Sequence, residues 1–146
     1  MSRVAAAAET GFALLLFAWT TVLFRVRGQR AVAQATRRAM AVPPLDADEA
    51  AALQSELWRW ARAVWRAKAI WPLESKCLQT ALVTHRLLQS KGVLAPIRVG
   101  VKQAGGQTQG HAWVEVGPYA IDDSQLSPGF IPFDATPRTG ALGDLP

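Results

Sequence analysis

The sequence predicts an α+β domain in which helices come first and a small antiparallel sheet follows. Apolar residues recur at helical spacing as far as Gly92, and from Val93 onward apolar and polar residues alternate in short runs. Glycine and proline separate those runs, notably at Gly117-Pro118 and through the tail. The chain has 146 residues, half of them hydrophobic, which is enough to bury a core. The pair Pro43-Pro44 divides an N-terminal helical region, residues 1–42, from residues 43–146, which hold the chemically interesting segment.

Residues 11–24 form an uncharged run followed by Arg25, Arg27 and Arg30. Fourteen such residues fall short of the ~20 that span a bilayer, and reaching that length upstream requires including Glu9. Arginines directly after the run also make a poor signal-peptide cleavage site. The run is expected to be a helix buried against the domain or a partner, with contact to a membrane surface as the alternative. Residues 28–42 continue as a basic, alanine-rich helix that the two prolines end.

Asp46 is placed to cap the next helix, with Glu49 three residues on in capping-box fashion. That helix is predicted over residues 47–69, with Leu53, Leu57, Trp60 and Val64 as its buried stripe, widened by Trp58 and Trp65. Ser75 is the expected N-cap of a further helix, whose buried face is Leu78, Ala81, Leu82 and Leu88 and whose stop is Gly92. A strand follows over 93–101, where Ile97, Val99 and Val101 alternate with Arg98 and Gly100. Residues 102–110 read as a polar loop, 111–116 as a second strand, and 119–121 as the start of a third. The tail reads as irregular, pinned to the core by Phe130, Ile131 and Phe133.

The net charge is +5, and most of the arginines precede residue 70. Such a surface attracts nucleic acid, anionic lipid or an acidic protein. No RNP-type aromatic motif or zinc-finger spacing is present, so nucleic acid is not the expected partner. With one cysteine and two histidines the chain has no disulfide and no recognisable metal constellation, and no cofactor is expected. The lone thiol fits a reducing cytoplasm.

That thiol, Cys77, falls in the first turn of its helix, where free backbone N–H groups and the helix dipole favour an anion. A cysteine so placed is suited to act as a nucleophile, with the same amides available to a developing oxyanion. His111 follows a glycine-rich stretch and opens a strand, from which an imidazole can reach a neighbouring helix end as a general base. His85 lies two turns along the cysteine helix and reads as structural. A third residue should orient the imidazole. Asp122 and Asp123 end the third strand, and the length of the Gly117-Pro118 turn decides between them: two residues favour Asp122, three favour Asp123. Asp134 is a weaker candidate.

The segments KCLQTAL around Cys77, LLQSKGVLAPIRVGV, HAWVEV and the following DD resemble the transglutaminase-like cysteine protease of lasso-peptide biosynthesis, the leader peptidase or B protein. The similarity is strongest over residues 73–123 and looser upstream. It implies a papain/transglutaminase-like core, with the cysteine at the N-terminus of a helix packed on a small antiparallel sheet and additional helices before it. It implies Cys77 as nucleophile, His111 as base and then acid, and, from the spacing usual in that family, Asp123 as orienter, with Asp122 where the family often has asparagine.

Because residues 1–42 do not resemble the β-rich leader-recognition module of fused relatives, the resemblance implies the split form. Such a protein cleaves the leader from a precursor peptide with the help of a separate leader-binding protein and alongside an asparagine-synthetase-like cyclase. Two other readings keep the residues but change the role: acyl transfer to an amine or thiol, or a non-catalytic module that docks on a partner or membrane.

Overall fold

The computed structural model describes residues 2–122, 125–127 and 131–132. The α+β order holds. Helix α1 (Arg3–Val22) passes through a single π-helical stretch, Leu23–Arg27, into α2 (Gly28–Met40), and α3 (Ala47–Ala52), α4 (Gln54–Ile70) and α5 (Cys77–Ser90) follow. Strands β1 (Ile97–Ala104), β2 (Gln107–Val116), β3 (Tyr119–Asp122), β4 (Gln125–Ser127) and β5 (Ile131–Pro132) form one antiparallel sheet in the order β4-β3-β2-β1-β5.

Helix α5 is the centre of the fold. One side meets α1 and α4, and the other meets β2. Its buried residues therefore go well beyond a single stripe and include Gln79, Thr80, Val83, Thr84, His85 and Leu87 beside the expected Ala81, Leu82 and Leu88. Leu78, expected inside, is only partly buried. A helix between two layers has no solvent face to spare, so its polar residues must find partners inside. Thr84 donates to the Thr80 carbonyl at 2.8 Å, and His85 Nδ1 lies 2.7 Å from the Ala95 carbonyl.

Helix α1 is part of the same core. Glu9, Ala13, Phe17 and Thr20 fall on one face and are buried. Phe17 is fully enclosed and stacks on Trp71 at 5.9 Å between ring centres. Enclosing a phenylalanine stabilises by roughly 2–3 kcal/mol. The Glu9 carboxylate meets Arg59 at 3.2 Å and Lys91 at 3.8 Å, tying α1 to α4 and to the residue that caps α5. Gln79 does the same from α5: its Nε2 donates to Thr20 Oγ1 and Thr21 Oγ1, both at 2.9 Å.

Three local expectations are corrected. The helix expected over 47–69 breaks at Leu53, whose φ of −95° and ψ of 3° leave the helical path. Leu53 packs on the core while Ala51, Ala52, Gln54 and Ser55 stay exposed, so the leucine keeps the inward place its helical stripe predicts despite the break. Asp46 caps α3 as expected, accepting from the Asp48 amide at 2.9 Å. Residues 102–110 are not a loop. β1 and β2 stay paired to Ala104↔Gln107, and the turn is Gly105-Gly106 alone, with φ of 57° and 77°. Two glycines at positive φ make the mirror-image turn whose twist suits a hairpin. The tail contributes β4 and β5 to the sheet rather than being wholly irregular, and Pro132 sits on the edge strand, where a missing N–H costs least.

The far end of α5 closes as the sequence predicts. Gly92 has φ of 76°; Val93 N donates to the Leu88 carbonyl and Gly92 N to Gln89, both at 3.0 Å, which completes a Schellman cap.

Candidate active site

At the near end of α5 the cap is Lys76, one residue later than the expected Ser75, and its side chain makes no capping bond. Cys77 is thus the first helical residue. The first helical bond runs from Thr80 N to the Lys76 carbonyl at 3.0 Å, so the amides of Cys77, Leu78 and Gln79 precede the helical ladder. Two residues on, Gln79 holds the turn against α1, fixing the helix end through three acceptors: Thr20, Thr21 and, at 3.4 Å, the Phe17 carbonyl.

Cys77 is half-buried and lines a small depression with Thr80, Ala81, Thr84, Ala112, Trp113 and Ile121. The start of α5 and the middle of β2, at Ala112 and Trp113, therefore meet. His111 immediately precedes Ala112 and pairs with Gly100 across the hairpin. Its ring stacks on Trp113, with centres 6.1 Å apart and planes 20° from parallel. Strand alternation assigns His111, Trp113 and Glu115 to one face of β2 and Ala112, Val114 and Val116, all in the core, to the other. Trp113 is common to both parts of the site: it borders the cysteine depression and carries the histidine ring.

Sequence reasoning passed over Trp113. The available signal was its position two residues beyond His111 on the same strand, since i and i+2 share a face. Arg98 and Glu115 pair at 3.4 Å on that face, bracing the hairpin beside it.

The β2–β3 turn has two residues, with Val116 paired to Tyr119 and Gly117-Pro118 between them. That is the case in which register favours Asp122: Ala120 pairs with Glu115, and Asp122 is two positions further along β3, a register position on the face of Glu115 and His111. Asp123 and Asp134 lie outside the described residues. Gly117 has φ of 56°, and a Cβ there would stand 2.5 Å from that of Ala50, so glycine is required both by the turn and by the close approach of α3.

His85 is buried and plays the structural part expected of it. Burial pushes its pKa below the ordinary 6.5, the Ala95 hydrogen bond opposes that shift, and neighbouring Arg86 adds to it. Among the described residues no group of three or more His, Cys, Asp or Glu side chains is arranged to hold a metal.

A cysteine heading a central helix, an antiparallel sheet laid on that helix and a histidine on the adjoining strand together define a recognisable class. The chain belongs to the transglutaminase-like superfamily, whose profile matches residues 13–132. The matched span begins within α1 and ends at β5, so it takes in the helical layer as well as the sheet. No curated protein and no solved structure gives a significant match.

Proposed function

We propose that this protein is a cysteine peptidase that removes the leader from a lasso-peptide precursor. The observation that carries the reading is Cys77 at the first position of α5, in a depression shared with Trp113, on which His111 stacks. The substrate class rests on the resemblance of the segments KCLQTAL, LLQSKGVLAPIRVGV and HAWVEV to the leader peptidases of that pathway.

In this reaction His111 accepts the thiol proton and Cys77 Sγ attacks the scissile carbonyl carbon. The amides at the start of α5 receive the oxyanion. The C–N bond breaks as His111 returns the proton to the departing amine of the core peptide, leaving the leader as a thioester on Cys77. Water, deprotonated by His111, then releases the leader as a free carboxylate. One aspartate of the 122–123 pair orients the imidazole. A separate leader-binding protein presents the precursor, and the new core amino terminus is the group a cyclase would use.

The test is incubation with precursor and leader-binding protein, read by mass spectrometry. Free leader and free core are expected from the wild type and neither from Cys77→Ala. Cleavage by Cys77→Ala would sink the nucleophile assignment, and an acyl group transferred to an added amine would replace hydrolysis by transfer. Asp122→Asn and Asp123→Asn, compared singly, identify the orienter as the one whose kcat falls by about 10³-fold or more.

A further inference from the structure

Helix α1 is apolar on two sides, and the fold uses only one. Opposite the buried stripe, Phe12, Leu15, Trp19, Val22 and Val26 follow one another at alternating steps of three and four residues, which makes them a single outer stripe. Leu15 is 69% exposed, Val22 56% and Val26 75%. Contiguous exposure of this kind marks a surface that something covers.

Charge says what covers it. Residues 1–42 contain six arginines, no lysine and one acidic residue, Glu9, which is turned inward onto Arg59 and Lys91. Arg25 and Arg27 are exposed at the C-terminal end of the stripe, and the Arg86 guanidinium lies 5.0 Å from the ring centre of Trp19, halfway along it. The stripe is thus apolar with a cationic rim. A second copy packed in parallel would set Arg25 and Arg27 against themselves. An anionic bilayer offers acyl chains to the stripe and phosphates to the rim, and tryptophan beside arginine is suited to the boundary between them.

The stretch Arg3–Met40 is long and apolar enough to cross a membrane by length and composition. Crossing would, however, strip Phe17 from its core and Glu9 from its cations. We propose that α1 and the π-helical stretch after it dock this protein on an anionic membrane surface, lying in the interface with Leu15, Trp19, Val22 and Val26 among the acyl chains and Arg25, Arg27 and Arg86 at the phosphates. The proposal goes beyond the peptidase reading and stands whether or not that reading does, because binding is measured without substrate.

Flotation of the full chain with phosphatidylcholine vesicles, with and without phosphatidylglycerol, tests it. The wild type should float at least tenfold better on the phosphatidylglycerol vesicles. Leu15→Glu combined with Val22→Glu should lose at least tenfold of that binding while keeping the wild-type circular dichroism. Arg25→Gln combined with Arg27→Gln, which leaves the stripe intact, should lose most of the preference for phosphatidylglycerol. Failure of the wild type to float on either vesicle would overturn the proposal, and so would unchanged flotation of the glutamate variant. Lipid-free self-association, or binding of a partner protein, that the glutamate variant abolished while wild-type flotation was absent would assign the stripe to that protein instead.

Discussion

The two ends of α5 are held in different ways. At the C-terminal end the backbone closes on itself: Gly92 ends the helix, Val93 returns a hydrogen bond to Leu88, and His85, about two turns inside, is tied to Ala95. At the N-terminal end no side chain caps the helix, and the half-buried Cys77 faces a depression. The helix is held there from behind, by Gln79 reaching across to α1. A helix start without a side-chain cap forgoes some stability, so the two ends differ in how tightly the chain itself holds them.

Substitutions at the two ends should therefore part activity from stability. The largest effect is expected at Cys77→Ala: loss of turnover by 10³-fold or more, with a melting temperature within a few degrees of wild type. A large fall in melting temperature would mean that Cys77 belongs to the core rather than to the site. His85→Ala should do the reverse. It removes a buried ring and leaves the Ala95 carbonyl without its donor, so chemical denaturation should show a loss of roughly 2–4 kcal/mol, while the fraction that remains folded keeps its turnover. Gly92→Ala is smaller, at about 1 kcal/mol, from forcing a Cβ into the left-handed conformation.

The mildest probe is pH. His85 has its folded pKa below 6.5, so as pH falls the unfolded chain takes up the proton first. Stability from this residue is complete above pH 6.5 and is lost as pH falls from there toward the folded value. Melting temperatures measured between pH 8 and pH 5 should show that decline in the wild type and a shallower one in His85→Gln.

Much of this contrast was legible in the sequence. Gly92 reads as a helix stop because glycine after an apolar periodic run has few other uses, and Asp46 reads as a cap for similarly local reasons. Cys77 and His111 stand out because each is a rare residue in a chemically suggestive setting. The cap before Cys77 was misplaced by one residue, since Ser75 has the better side chain but Lys76 has the extended backbone that starts the helix. The hairpin through Gly105-Gly106 was missed because a polar, glycine-rich stretch resembles a loop until its pairing is known. The break at Leu53 was missed because the apolar stripe runs through it at helical spacing and no glycine or proline marks a stop.

Local features, then, were determined by the sequence alone: the order of helices and strands, the stop at Gly92 and the cap at Asp46, and where the lone cysteine and the strand histidine stand. These properties depend on neighbours a few positions away, and periodicity and capping record them directly. Tertiary structure decided the rest. It buried α5 on nearly every side, put Trp113 between the cysteine depression and the histidine ring, and made the β2–β3 turn two residues long. It also turned one apolar face of α1 inward and left the other bare. Each of these depends on contacts between residues tens of positions apart, and no short window of sequence carries them.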